Sequence, residues 1–172
     1  MTARPVCGLI YEDGANAQDI LIRLVSGFRA RGLLIAGTIQ TERARPDRRH
    51  CDMMLENLAT GELVRISEDR GPLASGCRLD RDAFARVEAA VRGTLESRPV
   101  LVIVNKFGKT EIEGGGLRGV IADAMERDIP VLVGVPVRNG AEWADFVGEH
   151  AEVATDETAV KRWIASAGVP AA

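Results

Sequence analysis

The chain has 172 residues, 46% hydrophobic and 27% charged, with a net charge of −3. That length suits one domain with a real core, spanning residues 1–172, and the mild acidity argues against a surface built throughout for nucleic acid. No apolar run approaches the ~20 residues of a membrane-spanning helix, and the opening MTARPVCGLIYEDG meets an acidic pair too early for a signal peptide.

Val6 to Tyr11 reads as a first buried strand, ended by Glu12, Asp13 and Gly14. An amphipathic helix follows, with Ile20, Leu21, Leu24, Val25 and Phe28 on one face, Asn16 as its N-cap and Gly32 as its stop. Leu33 to Ile39 is a second strand, which completes a right-handed βαβ unit. Gln40 to Arg49 is polar and basic and reads as a mobile loop. Asp52 to Leu58 and Glu62 to Ile66, joined by Ala59, Thr60 and Gly61, form a hairpin insertion over about residues 51–66 at the sheet edge.

Ser67 to Arg78 is irregular, and Asp80 then caps a helix with the stripe Phe84, Val87, Val91 and Leu95. Val100 to Val104 is the central strand, and it stops abruptly at Asn105, Lys106 and Lys109. Gly114 to Gly116 open a helix carrying Leu117, Val120, Ile121, Ala124 and Met125. Val131 to Val135 is a further strand and Trp143, Phe146 and Val147 a short helix. Ala151 to Ala154 forms a last strand, and Val160, Trp163 and Ile164 mark a terminal helix. Apolar strands alternating with helices predict a mostly parallel sheet covered on both faces.

Two places can carry chemistry. The first strand-to-helix turn holds Gly14, Asn16, Ala17 and Gln18 where a phosphate-binding loop would lie. Such a loop has a lysine and a hydroxyl where Ala17 and Gln18 stand, and the plainer reading is an ordinary capped turn. The second is Asn105, Lys106 and Lys109 at the carboxyl end of the central strand, where open α/β sheets bind ligands. Two lysines beside Gly108 suit an anion, unless Glu111 and Glu113 pair with them; solvated lysines and ordinary turn glycines are the alternative.

Cys7, Cys51 and Cys77 are odd in number and widely spaced, which suits reduced thiols in a bacterial-type cytoplasm. Cys51 (beside His50) and Cys77 are a speculative metal or thiol site, although their spacing matches no zinc pattern. The basic run from Arg43 to His50 reads as a solvated loop, with anion contact as the minority reading. Trp143 and Trp163 read as core.

At CDMMLENLATGE (51–62), RGPLASGCRLD (70–80) and VLVIVNKFGKTEIEGGGLRGVIADAMERDIPVLVGVP (100–136) the chain resembles a bacterial family built around a domain of unknown function. Some members of that family are associated with molybdenum transport or cofactor genes. More distantly, the same segments are similar to small P-loop nucleoside-triphosphatases of thermophile and animal type. The resemblance implies a P-loop-NTPase-like three-layer α/β sandwich, mostly parallel, with an antiparallel hairpin insertion. It also implies a degenerate Walker motif: Asn105 takes the place of a magnesium-holding aspartate, and Lys106 that of an adjacent acidic residue.

The expectation is a cytoplasmic domain that binds an anionic small molecule, a nucleotide or an oxyanion such as molybdate, without hydrolysing it. Magnesium is doubtful on this reading. Gly14, Asn16, Ala17, Gln18, Asn105, Lys106 and Lys109 would form the ligand site. The alternatives are a divergent nucleoside-triphosphatase and a protein-interaction subunit with a vestigial pocket. A protein partner or a homo-oligomer fits either, whereas a nucleic-acid partner is disfavoured by the 4% aromatic content.

Overall fold

Seven apolar or half-apolar segments find one another in a single sheet. The computed structural model describes residues 5–47, 51–68 and 79–172. Its strands are β1 (Val6–Tyr11), β2 (Ile35–Arg43), β3 (Asp52–Asn57), β4 (Leu63–Arg65), β5 (Leu101–Val104), β6 (Val131–Pro136) and β7 (Ala151–Ala154). They lie in the order β4-β3-β2-β5-β6-β1-β7. The run from β2 to β7 is parallel, and β3 and β4 are antiparallel at one edge.

The helices are α1 (Gly14–Ala30), α2 (Arg81–Thr94), α3 (Lys109–Ile112), α4 (Arg118–Glu126), α5 (Gly140–Val147) and α6 (Glu157–Ser166). On α1, Ile20, Leu21, Leu24, Val25 and Phe28 recur at helical spacing and pack against one face of the sheet beside Val160, Trp163 and Ile164 of α6. Helices α2, α4 and α5 cover the other face, through Val87, Val91, Val120, Ile121 and Trp143 among others. Each fully buried Leu, Ile or Phe of these stripes contributes roughly 1.5–3 kcal/mol of transfer free energy. Strands β5 and β6 are buried at every residue, as strands covered on both faces must be.

The structure departs from the sequence reading at three places that bear on the site. Helix α1 starts at Gly14 with Asp13 as its N-cap, because the Asp13 carboxylate, not the Asn16 side chain, meets the first free N–H groups. Strand β2 runs on to Arg43, where a mobile loop was expected. Its polar end is held by the antiparallel ladder to β3, from Thr38 opposite Asn57 to Arg43 opposite Asp52. A short helix, α3, also forms before the glycine turn.

The connections fix where a ligand crevice would lie. Strand β1 leads to α1 on one face of the sheet, and its neighbour β6 leads to α5 on the other. Adjacent parallel strands that depart to opposite faces leave a crevice at their carboxyl ends.

Candidate functional site

The turn from β1 to α1 has only two residues between strand and helix, Glu12 and Asp13. Asp13 Oδ1 accepts the backbone N–H of Ala15 at 2.9 Å and of Asn16 at 3.3 Å. These are the donors that a helix N-terminus would offer to a phosphate, and the chain's own carboxylate takes them. Ala17 is buried in the core beneath the turn. Gln18 Nε2 donates to the Gln40 carbonyl at 2.5 Å, which ties α1 to β2. Gly14 and Asn16 are exposed.

Tyr11, half-buried, stands at the carboxyl end of β1 beside β6. A Cβ built on Gly134 would lie 3.4 Å from Tyr11 Cε1, and one built on Gly14 would lie 3.6 Å from Cε2. The ring therefore sits between the two glycines. Burial pushes its phenol pKa up, with the Arg138 guanidinium pulling the other way.

Beyond β5 the chain folds into a loop held from below and from within. Phe107 is fully buried, edge-on to Trp143 at 5.2 Å between ring centroids and stacked on Phe146 at 5.7 Å. Its N–H donates to the Gly134 carbonyl at 2.7 Å, and its own carbonyl accepts from Asn139 Nδ2 at 2.8 Å. Glu111 is 5% exposed, with Oε2 accepting the Gly108 N–H at 3.0 Å and Oε1 the Leu117 N–H at 3.2 Å. Burial pushes the Glu111 carboxyl pKa up; those N–H bonds and the nearby Lys106 oppose the shift. Gly116, at φ +57, has no room for a Cβ because Glu111 lies against it.

This loop forms one wall of a cavity of about 230 Å³ over the ends of β2 and β5. Asn105, Lys106 and Lys109 line it, with Thr38 and Gln40 of β2 and an apolar side that includes Leu55, Ile66 and Phe84. Thr38 is completely buried and its hydroxyl has no hydrogen-bond partner among the described residues. An unpartnered buried hydroxyl costs ~1–3 kcal/mol, so its place on a cavity wall calls for a reason. Lys106 and Lys109 are exposed, and Lys109 approaches Glu113 at 3.8 Å. A second cavity of about 480 Å³ shares Leu79, Phe84, Lys109 and Thr110 with the first and adds Arg81 and Glu88.

The structure thus brings Asn105, Lys106 and Lys109 to one cavity, while Gly14, Asn16, Ala17 and Gln18 line neither cavity. Cys51 is half-buried just before β3; His50 and Cys77 lie outside the described residues. Among the described residues no group of three or more His, Cys, Asp or Glu is placed to hold a metal ion. Cys7 is fully buried in β1, and its thiol pKa is pushed up to about 12 by burial, with Glu152 adding to the rise. No helix among the described residues is long and apolar enough to cross a membrane. Sequence reasoning missed Tyr11, Asp13, Thr38 and Phe107, and weighed Glu111 only as a lysine partner. The one available signal was Asp13, a capping residue just before an apolar-periodic run.

Residues 6–163 match the family described as "Protein of unknown function (DUF2478)", and the chain belongs to that family. It is 30% identical over 145 residues to the molybdenum import ATP-binding protein ModC 2 of Bradyrhizobium diazoefficiens. That match spans 83% of this chain but only 16% of the relative's length. The fold is similar to the crystal structure of THEP1 from the hyperthermophile Aquifex aeolicus, with a TM-score of 0.60 at 13% identity over 96% of this chain and 95% of that one. The architecture is a P-loop-NTPase-like three-layer sandwich, mostly parallel, with an antiparallel β-hairpin at its edge.

Proposed function

We propose that this chain is an accessory, non-hydrolytic P-loop-like domain that binds a small anionic molecule at the carboxyl end of β5. The observation that carries the non-hydrolytic half is the closed first turn, where the Asp13 carboxylate holds the N–H groups of Ala15 and Asn16. Phosphoryl transfer relies on positioning and charge neutralisation by a lysine and magnesium. Ala17 and Gln18 supply neither the lysine nor the hydroxyl, and Asn105 is no carboxylate. Glu111 is the acid on the lining of the cavity at that end of β5, but both of its oxygens are engaged by backbone N–H groups. These residues do not fit a magnesium ion.

The binding half rests on Asn105 and the exposed Lys106 and Lys109 around an open cavity. The ligand is a nucleotide, as the fold suggests, or an oxyanion such as molybdate, as the likeness to a molybdenum import protein suggests. Thermal denaturation with ATP, GTP, phosphate, molybdate and tungstate tests it. At least one should stabilise the wild type, and Lys106→Ala and Lys109→Ala should reduce the shift. Silence of all five ligands removes the binding half. Magnesium-dependent phosphate release abolished by Lys106→Ala would promote the divergent nucleoside-triphosphatase instead.

One observation favours a second reading, a protein-interaction subunit with a vestigial pocket: the Tyr11 ring stands between Gly14 and Gly134 at the carboxyl ends of β1 and β6, where a ligand of this fold would lie. A partner that co-purifies with a chain unresponsive to every ligand would select it.

A further inference from the structure

The sheet ends on one side at β4, which has no neighbour on its outer edge among the described residues. The bonds at its two ends fix which way its backbone groups turn. Asn57 N–H donates to the Glu62 carbonyl at 2.8 Å, and Ile66 N–H to the Met53 carbonyl at 2.8 Å. Bonded and non-bonded pairs alternate along an antiparallel ladder, so Val64 bonds to Leu55 across β3. Leu63 and Arg65 therefore turn their N–H and C=O groups outward, and no other backbone group among the described residues meets them.

Beside this edge a groove of about 380 Å³ runs between β4 and α2. Val64, Val87 and Ala90 make it apolar, with Val64 packed on the core cluster that contains Val87. Its charged residues are Arg65, Arg86 and Glu62, all exposed, and none is in an ion pair among the described residues. Cations outnumber the one acid, and Glu62 stands at the turn end of the strand, on the opposite face from Arg65.

A charge on a short edge strand guards against pairing with a like edge. Two copies joined β4 to β4 would bring Arg65 and Arg86 of each to one seam, cation against cation. An acidic strand meets the same two arginines as partners. The guard selects by charge.

We propose that the β4 edge and its groove dock an extended acidic segment of a partner protein, which adds to the sheet as a further strand. Main-chain bonds to Leu63 and Arg65 hold the segment, and an apolar side chain opposite Val64 enters the groove. Acidic side chains flanking it meet Arg65 and Arg86. This surface shares no lining residue with the cavity over β2 and β5, so it stands whether or not an anion binds there.

The probe is a labelled, end-blocked heptapeptide alternating glutamate and valine, titrated into the full chain and followed by fluorescence anisotropy. A peptide with lysine in place of glutamate is its control. The acidic peptide should saturate the chain and the basic one should not bind. Arg65→Glu and Arg86→Glu should each weaken binding about threefold, and together about tenfold. Both side chains are exposed, so the variants should keep the wild-type circular dichroism spectrum. In the wild type, hydrogen exchange at the Leu63 and Arg65 amides should slow when the acidic peptide is added, a readout that needs no variant. No binding of the acidic peptide overturns the proposal. So does equal binding to the doubly reversed chain, or unchanged exchange at Leu63 and Arg65. Amides already protected without peptide, in a chain that sediments as a dimer, would give the edge to a second copy and overturn it too.

Discussion

Glu111 Oε2 accepts the backbone N–H of Gly108 at 3.0 Å, reaching back three residues to close the start of α3. Its other oxygen holds the Leu117 N–H at 3.2 Å, so one side chain ties both ends of the glycine-rich loop. Glu111→Ala leaves two buried donors unpaired, at ~1–3 kcal/mol each. The expected loss is roughly 2–4 kcal/mol in urea unfolding, with a smaller loss for Glu111→Gln, which keeps one acceptor. An Ala variant as stable as the wild type would mean that the loop is not held this way.

The same carboxylate has a pH signature. Its folded pKa is raised by burial, so the folded state holds the Glu111 proton more tightly than the unfolded chain does. That contribution to stability is fully present below the unfolded carboxylate pKa. It is lost as pH rises through the folded pKa, and is constant above it. Measured across the acid range, wild-type stability relative to Glu111→Gln should therefore fall with rising pH and then level off. A difference that rises with pH would show the opposite shift and contradict the burial.

Why some of this was legible in sequence and some was not has physical causes. Val102 to Val104 and Val131 to Val135 announce themselves because strands covered on both faces need apolar residues throughout. The end of β2 does not, because Gln40 to Arg43 carry edge chemistry and are strand only through the pairing with β3. Asp13 carries a capping signal of its own, but Asn16 is an equally good capping residue type and stands nearer the first apolar position, Ile20. Glu111 lies between lysines and glycines, a local context indistinguishable from a solvated turn. Its burial follows from Phe107 anchoring the loop against Trp143, a tertiary contact. Thr38, inside an apolar strand, looks like any β-branched filler until its missing partner is seen.

Asp13 gives the third prediction. Its carboxylate serves as N-cap and closes the helix end against anions. Asp13→Ala should lower stability by ~1 kcal/mol, and Asp13→Asn by less, since asparagine also caps well. Both are read from denaturant midpoints at constant slope. Loss of more than a few kcal/mol would implicate Asp13 in something beyond the cap.

The last prediction sets two glycines against each other. A Cβ at Gly134 would overlap the backbone carbonyl of Asn105 and come to 3.4 Å from the Tyr11 ring. The obstacle is the neighbouring chain, which cannot swing aside as a side chain tip can, and Phe107 hangs from the Gly134 carbonyl at 2.7 Å. Gly134→Ala must therefore push β5 away from β6 or bend the Asn105 to Phe107 segment, which should cost about 3 kcal/mol, at the upper end of overpacking penalties. Gly140 is the control. It opens α5 at φ −63 and ψ −35, with nothing within 4 Å of an added Cβ. Gly140→Ala should be neutral or stabilise by up to ~1 kcal/mol, because alanine restricts the unfolded chain more than glycine does. If ligand binding depends on the position of Asn105, a Gly134→Ala protein that still folds should also lose affinity, whereas Gly140→Ala should bind as the wild type does. Equal stability and equal affinity in the two variants would place Asn105 elsewhere than beside Gly134.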